Sequence, residues 1–249
     1  MPGNEWDVEY RTWDQFLQWF SKHWEPGQHV CVVAPTGAGK TVFVRGVLNL
    51  RRYVLALDEK GGDSSLAQTG WPRLNSWPGL KQMGRKVDAN DRNGKASRYI
   101  VGQKVIAPED FAKVRSASAS ALHDSFTMGG WTLYSDEHQL LTDKRMMNLG
   151  VQADTHLIAA RDKGITFVSS FQAPSWVTPA ASRQAYWMAI SYTRDTDTVN
   201  TLAERLGRSK SVVRGWVKEL PEYHWLIVGR NPRSNPIITF PDLKRRATT

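Results

Sequence analysis

A glycine-rich octapeptide, residues 34–41, combines the residue types that bind phosphate groups. It reads Ala-Pro-Thr-Gly-Ala-Gly-Lys-Thr and stands between a β-branched apolar run and a segment of helical character. Gly37 and Gly39 let the backbone curl so that successive N–H groups point inward, and the start of the following helix adds the positive end of its dipole. Lys40 can reach the β- and γ-phosphates, and the Thr41 hydroxyl can ligate Mg²⁺. The pattern therefore predicts that ATP and Mg²⁺ are bound by Pro35, Thr36, Gly37, Ala38, Gly39, Lys40 and Thr41.

Two adjacent carboxylates follow a second apolar run, Trp131 to Ser135. Transfer of a phosphoryl group to water requires a metal ion held in place and a water molecule that is oriented and deprotonated. Asp136 suits the first task, through the water shell of Mg²⁺, and Glu137 suits the second, as general base. An Asp-Glu pair after a strand is a weak signal alone, but Asp136 lies 95 residues after Thr41 in a chain with a phosphate loop. The pair therefore predicts a hydrolytic site.

A glutamine follows a third apolar run, Ile165 to Phe171. At the end of a strand, the Gln172 side chain can contact the γ-phosphate or the attacking water, which is a catalytic role that lets hydrolysis be sensed elsewhere. The alternative is an ordinary loop glutamine, and the residues alone leave both open.

The elements that must position these residues alternate between two periodicities. Short β-branched runs predict strands, and apolar residues spaced three and four apart predict helices. The predicted strands are 29–34, 53–57, 99–101, 131–135, 165–170, 185–192, 225–228 and 237–240. The predicted helices are 12–24, 40–49, 108–125, 146–163, 197–207 and 209–219. This alternation predicts an α/β fold with three layers around a mostly parallel central sheet. Together with the phosphate loop and the acidic pair, it resembles a P-loop ATPase domain of the RecA or ASCE type.

The predicted organisation is one ATPase domain preceded by a helical segment. Residues 1–27 form the N-terminal helical segment, whose aromatic face is expected to lie in the core or in a subunit contact. Residues 28–249 form the P-loop ATPase domain. Within that domain, 61–98 is a basic, partly irregular insertion and 197–219 is a helical pair.

Composition narrows the class of protein. The chain of 249 residues carries a net charge of +9 and has a pI near 9.7, a balance that favours a polyanionic partner, nucleic acid above all. Cys31 is the single cysteine, so an intrachain disulfide is excluded and a reducing compartment fits. No stretch approaches the ~20 apolar residues of a membrane span, and the N-terminus lacks the pattern of a signal peptide. We therefore expect a cytoplasmic protein without direct membrane insertion.

Four segments together resemble the FtsK–HerA superfamily of ring-forming, DNA-pumping ATPases. They are Thr-Gly-Ala-Gly-Lys-Thr at 36–41, Leu-Asp-Glu-Lys-Gly at 57–61, the Asp136-Glu137 pair, and Ala-Arg-Asp-Lys-Gly-Ile at 160–165 running into the strand that ends Gln172-Ala173-Pro174. Their order and spacing cover about residues 28–192. Small size and the lack of membrane segments or appended domains make the chain most similar to viral genome-packaging ATPases, which thread double-stranded DNA into a preformed capsid.

The resemblance implies an activity and partners. It implies an ATP-driven translocase of double-stranded DNA that works as a homo-oligomeric ring, a pentamer or hexamer, docked on a capsid portal or vertex protein in the host cytoplasm. It also implies an arginine finger from the neighbouring subunit, for which Arg161 stands in the expected segment and Arg183 and Arg145 are the other candidates. A guanidinium fork binds phosphate oxygens and stays charged. The chain departs from the family pattern at Ala34, in place of the usual first glycine, and at Phe171, where many relatives have threonine.

Two segments offer contacts to DNA. The insertion at 61–98 can grip phosphates without reading bases, through Lys81, Arg85, Lys86, Arg92, Lys95 and Arg98. Residues 201–217 resemble a helix-turn-helix, whose second helix carries Ser209, Lys210, Ser211 and Arg214. We favour a helical pair within the ATPase domain, because two predicted strands follow it. Alternatives to a packaging motor are a DNA-transfer ATPase of a plasmid or integrative element, and a DNA-binding regulator that uses ATP as a switch.

Overall fold

The computed structural model describes residues 8–62, 64–79, 96–173, 176, 178–193, 196–231 and 234–241. The described chain divides into two compact units, each assembled from separate stretches of sequence. The first unit draws on the ranges Met1–Trp24, Val30–Leu50 and Phe171–Thr249. The second unit draws on Glu25–His29 and Arg51–Ser170.

Strands and helices alternate along much of the described chain. The strands are β1 (Glu9–Tyr10), β2 (His29–Val33), β3 (Tyr53–Leu57), β4 (Arg73–Leu74), β5 (Ser97–Val101), β6 (Thr132–Ser135), β7 (Thr166–Phe171), β8 (Ala185–Ser191), β9 (Trp225–Gly229) and β10 (Ile237–Thr239). The helices are α1 (Trp13–His23), α2 (Lys40–Leu48), α3 (Ser64–Ala67), α4 (Asp110–Met128), α5 (His138–Thr142), α6 (Gly150–Ala159), α7 (Pro179–Gln184), α8 (Thr196–Leu206) and α9 (Lys210–Lys218). A 3₁₀ turn, Arg161–Lys163, follows α6. None of the helices in the described ranges combines the length and the apolar character needed to cross a lipid bilayer.

The strands of each unit lie side by side. In the second unit the order is β7-β6-β3-β5-β4, and every one of these pairings is parallel. In the first unit the order is β1-β10-β9-β8-β2, in which β9 runs antiparallel to both β10 and β8. Strands β2, β6 and β7 are buried along their whole length, as expected where a parallel sheet is covered on both faces. The predicted α/β class with a mostly parallel sheet is confirmed.

The aromatic face of α1 packs in the core of the first unit. The helix starts at a capping box, in which the Thr12 hydroxyl accepts from the Gln15 N–H and the Gln15 side chain accepts from the Thr12 N–H. Phe16 and Phe20 are buried. The Phe16 ring stacks on Phe43 of α2, with centroids 6.2 Å apart. Of the two locations expected for this face, the core or a subunit contact, the structure shows the core for Phe16 and Phe20.

The structure corrects the helix predicted at 146–163. Within this range the chain forms the shorter α6 and the 3₁₀ turn, and α5, which the sequence patterns did not predict, lies before it. Asn148, between α5 and α6, takes a left-handed backbone, φ +50°, which asparagine adopts more readily than most residues. Its N–H donates to the Asp143 carbonyl over 2.9 Å. The chain therefore turns at a point where the apolar pattern indicated an uninterrupted helix.

Other differences from the predicted elements are smaller. Helix α4 runs three residues beyond its predicted end, α7 was not predicted, and the insertion at 61–98 contains α3, β4 and the start of β5. The remaining predicted elements, including the helical pair, have bounds within two residues of those predicted. Several residues singled out from the sequence lie outside the described ranges: Lys81, Arg85, Lys86, Arg92, Lys95 and Pro174.

Trp13 of α1 leaves no room for a side chain at Gly46 of α2. A Cβ added at Gly46 would lie 2.4 Å from Cζ2 of the Trp13 indole. We expect Gly46→Ala to lower the free energy of unfolding by about 1 kcal/mol, because overpacking costs about 1–3 kcal/mol and the better helix propensity of alanine returns about 1 kcal/mol. In a Trp13→Ala background the same change should raise that free energy by about 1 kcal/mol. Urea denaturation of the four proteins measures this cycle, and equal effects in both backgrounds would contradict the packing argument.

Candidate functional site

The loop between β2 and α2 has the backbone geometry that anion binding requires. β2 is buried over all five of its residues, and the chain becomes exposed at Pro35. Gly37 and Gly39 have φ of +85° and +78°, in the left-handed region that glycine enters without steric cost. Gly39 is the N-cap of α2, and Lys40 is its first residue. The start of α2 thus supplies N–H groups that have no acceptor within a helix and can donate to phosphate oxygens.

Gln172 lies beside this phosphate loop, within the first unit. The Thr36 hydroxyl donates to Oε1 of Gln172 over 3.2 Å. Nearby, the Ala34 N–H donates to the Phe171 carbonyl over 3.1 Å. The end of β7 and the start of the loop are therefore joined both through side chains and through the backbone. Direct contact with the loop is what the predicted sensing role needs, and an ordinary loop glutamine would not require it.

A tyrosine that the sequence did not single out also lies against the loop. A Cβ added at Gly39 would lie 3.4 Å from Cδ1 of Tyr223. Tyr223 has φ +63°, an uncommon conformation for a bulky side chain, and the residue is 36% exposed. Its sequence signal is slight, a Pro-Glu-Tyr-His segment after α9. The ring borders the predicted phosphate-binding residues.

In the second unit, the predicted acidic pair follows β6 and is almost fully buried. Asp136 and Glu137 are 6% and 5% exposed. The Tyr134 hydroxyl donates to Oδ1 of Asp136. Burial, together with the negative charge of Asp136, raises the pKa of Tyr134 well above its ordinary value, so the phenol keeps the proton that it donates. Tyr134 therefore fixes one oxygen of the carboxylate.

Glu59, just beyond the neighbouring strand β3, supports the acidic pair. β3 and β6 are parallel, with Leu57 opposite Ser135. The Ser135 hydroxyl donates to Oε1 of Glu59, and the Glu137 N–H donates to Oε2 over 3.3 Å. Burial raises the pKa of Glu59 to about 8; the Ser135 hydrogen bond opposes this increase and the charge of Asp136 adds to it. At neutral pH the Glu59 carboxyl is therefore mostly protonated, which limits the negative charge gathered at these strand ends.

Lys60 forms an ion pair with the predicted general base. Its Nζ lies 2.5 Å from Oε1 of Glu137, and the lysine side chain is 50% exposed whereas the glutamate side chain is 7% exposed. Asp58 shapes the loop that carries Lys60, because its carboxylate accepts from the Gly61 N–H over 3.0 Å and pairs with Arg73 over 2.8 Å. The sequence showed this segment as part of a motif. It did not indicate the pair of Lys60 with Glu137, because these residues are 77 apart in the chain.

The three candidate arginine fingers are all exposed. Arg161 lies in the 3₁₀ turn and Arg145 in the loop after α5, both in the second unit, and Arg183 lies in the last turn of α7 in the first unit. Within the described ranges, none of the three has an ion-pair partner. A residue that acts on a neighbouring subunit must be exposed, and all three meet that condition.

No protein-family model matches the sequence, and no curated protein matches it either. The fold is nevertheless similar to that of solved structures. The genome-packaging NTPase B204 of Sulfolobus turreted icosahedral virus 2, solved with AMPPCP, shares 20% identity at a TM-score of 0.55, over 87% of this chain and 98% of that chain. B204 of Sulfolobus turreted icosahedral virus, a DNA-packaging ATPase, shares 19% identity at a TM-score of 0.56, over 87% and 98% of the two chains. VirB4 of Thermoanaerobacter pseudethanolicus shares 9% identity at a TM-score of 0.57, over 86% and 89%.

At these identities the similarity concerns the fold. It extends over most of this chain and nearly the full length of each solved chain, so it is not confined to the phosphate loop. The chain therefore has the fold of the B204 proteins and of VirB4, and the fold that the resemblance implies is confirmed.

Proposed function

We propose that the chain is an ATPase that drives translocation of double-stranded DNA and serves as the genome-packaging motor of a virus. One observation carries the proposal: the chain shares its fold with a viral genome-packaging NTPase over 98% of that protein's length. The local geometry of its phosphate loop and the bond between that loop and Gln172 support the same conclusion.

The phosphate loop is proposed to bind the triphosphate of ATP. N–H groups at the start of α2 donate to phosphate oxygens, and the Lys40 ammonium offsets their charge. Thr41 is proposed to offer its hydroxyl to Mg²⁺, and Asp136 is proposed to act on the ion through its water shell; Mg²⁺ prefers such hard oxygen donors and usually keeps several waters. When bound, Mg²⁺ would offset negative charge on the terminal phosphoryl group. In the described part of the chain, no group of three His, Cys, Asp or Glu side chains offers another metal site.

Glu137 is proposed to take the proton from the attacking water. Its carboxylate is paired with Lys60 in this structure, so the base becomes available only when that pair opens. Tyr134 holds Asp136 in place, and the bond from the Glu137 N–H to Glu59 holds the backbone of the base. The Lys60 pair therefore gives the second unit a means of restraining hydrolysis.

A ring of identical subunits completes the proposal. Phosphoryl transfer is accelerated by a positive group placed on the γ-phosphate, and an arginine from the neighbouring subunit can supply it. Arg161 is our first candidate because it is exposed and stands in the segment that the resemblance indicates. The net charge of +9 suits a partner that carries the regular negative charge of duplex DNA. We propose a pentamer or hexamer docked on a capsid portal or vertex protein in the host cytoplasm.

Loss of the lysine and loss of the base should have different effects. Lys40→Ala should abolish ATP binding, because the phosphate charge loses its partner. Glu137→Gln should keep ATP binding while Mg²⁺-dependent hydrolysis falls at least ~100-fold, the lower end of what a general base contributes. A fluorescent ATP analogue measures binding, phosphate release measures hydrolysis, and Arg115→Gln on the exposed side of α4 is the control. Hydrolysis at the wild-type rate by assembled Glu137→Gln protein would show that another group is the base.

Removal of the Lys60 side chain should make ATP hydrolysis less dependent on DNA. We expect Lys60→Met to raise ATP hydrolysis without DNA by a few-fold and to reduce the further stimulation by DNA, because Glu137 no longer has to leave an ion pair. Lys60→Arg, which keeps the charge, should behave like the wild type. Steady-state hydrolysis with and without DNA measures both effects. A fall in rate comparable to that of Glu137→Gln would mean that Lys60 positions the base and does not restrain it.

Mixed rings test the shared site. Arg161→Ala subunits keep a phosphate loop and lack the finger, whereas Lys40→Ala subunits keep the finger and lack phosphate binding. If Arg161 acts on its neighbour, mixtures of the two inactive proteins should regain hydrolysis at interfaces where an intact loop meets an intact finger. No recovery, in rings shown by mass to be mixed, would exclude Arg161 and direct the same experiment to Arg183 and Arg145.

A further inference from the structure

A cavity in the first unit, none of whose lining residues belongs to the phosphate loop, collects positive charge. It has a volume of about 260 Å³ and lies where β8 begins and β9 ends, beside the last turns of α7 and α8. Arg183, Arg208 and Arg230 contribute to its lining, together with Tyr186, and no described lining residue is acidic. Neither Arg183 nor Arg230 has an ion-pair partner in the described residues. Guanidinium groups around one cavity repel one another, and a bound anion would remove that repulsion.

The arginines are not required as caps of the neighbouring helices. At the end of α8, the Gly207 N–H donates to the Glu204 carbonyl over 3.2 Å, and the Arg208 N–H donates to the Ala203 carbonyl over 3.0 Å. Gly207 takes the left-handed backbone, φ +61°, that is typical of this kind of helix end. At the end of α7, a backbone N–H likewise donates to a carbonyl of the last turn. Helix capping therefore does not account for the side chains of Arg183 and Arg230 at the cavity.

A second group of positive side chains lies on α9, which begins two residues after Arg208. Lys210, Arg214 and Lys218 are exposed and recur every four residues, so they lie along one side of the helix. The side chains that anchor α9 in the unit are Val212, Val213, Trp216 and Val217. Because these four are buried, the cationic side is held outward. Like charges four residues apart oppose helix formation, so this arrangement also gains from an anionic partner.

We propose that the arginine-lined cavity and the cationic side of α9 together contact the phosphate backbone of double-stranded DNA. The inference rests on the proposed function of the chain as a DNA translocase. A small free anion would use only the cavity, whereas cations spread over about 12 Å, at ~1.5 Å per residue from Lys210 to Lys218, suit a polymer with phosphates at regular intervals. Contacts from these cations to phosphates would position a duplex without distinguishing its bases. The segment that resembles a helix-turn-helix therefore grips DNA without reading its sequence.

Three double variants, each of which removes two positive charges, test this surface. The cavity variant combines Arg208→Gln with Arg230→Gln, and the α9 variant combines Lys210→Gln with Arg214→Gln. The matched control combines Lys22→Gln with Arg115→Gln, on the exposed sides of α1 and α4. Fluorescence anisotropy with a random-sequence duplex measures the affinity across a salt series. The thermal unfolding midpoint shows that each variant is folded. Arg208→Lys with Arg230→Lys keeps the charge and replaces the cavity variant if that variant is destabilised.

We expect the cavity and α9 variants each to bind DNA at least about tenfold more weakly at low salt, with a plot of log affinity against log salt that is less steep by about 0.9 for each lost phosphate contact. The control should stay within about threefold of the wild type and keep its slope. If all three variants bind DNA equally weakly, only the net charge of the protein matters, and the proposed DNA-binding surface is wrong. If the cavity and α9 variants bind DNA as the wild type does, the proposed surface is also wrong, but the proposed translocase function is not contradicted. A wild-type protein that binds no DNA at low salt would overturn the proposed function itself.

Discussion

The curl of the backbone between β2 and α2 is the constraint on which the first unit depends. A phosphate site made of backbone N–H groups needs those groups at fixed positions, and the curl that presents them uses left-handed glycines at positions 37 and 39. Such a loop has no large side chains of its own to hold it, so its stiffness must come from its attachments. β2 is buried before the loop, and Phe43 anchors α2 after it by stacking 4.3 Å from the Trp225 ring, centroid to centroid. The hydrogen bond from the Thr36 hydroxyl to Gln172 stabilises the loop between these two attachments.

The second unit meets a different problem, since it buries four carboxylates at the ends of adjacent strands. Burial of a charge is costly unless the charge is paired or neutralised. Each carboxyl group is stabilised differently. Asp58 pairs with Arg73, and Glu137 pairs with Lys60. Glu59 retains its proton, and Asp136 accepts a hydrogen bond from the Tyr134 hydroxyl. Of the two ion-pairing partners, Lys60 is the more exposed, at 50% against 24% for Arg73. The carboxylate proposed as the base is therefore the one whose partner can most easily move away.

Much of the fold could be predicted from the sequence because strands, most helices and the phosphate loop are encoded by neighbouring residues. Two contacts at the candidate site that were missed depend on residues far apart in the chain. Lys60 meets Glu137, 77 residues away, because β3 and β6 pair, and Tyr223 reaches Gly39 through packing after α9. No local pattern carries either contact. The helix predicted at 146–163 was too long for a local reason, since the left-handed backbone of Asn148 precedes a helix that starts only at Gly150.

The segmental make-up of the two units also has a consequence for synthesis on the ribosome. The first unit pairs β1 with β10, so in the described sheet β1 cannot pair until β10 has been made. The strands β3 to β7 of the second unit are all translated in between. Contacts between distant residues form late because long loops must close first. The nascent chain can therefore complete the unit with the acidic cluster first, whereas Thr36 must wait 136 residues for Gln172. The hydrogen bond that stabilises the phosphate loop therefore forms late in synthesis.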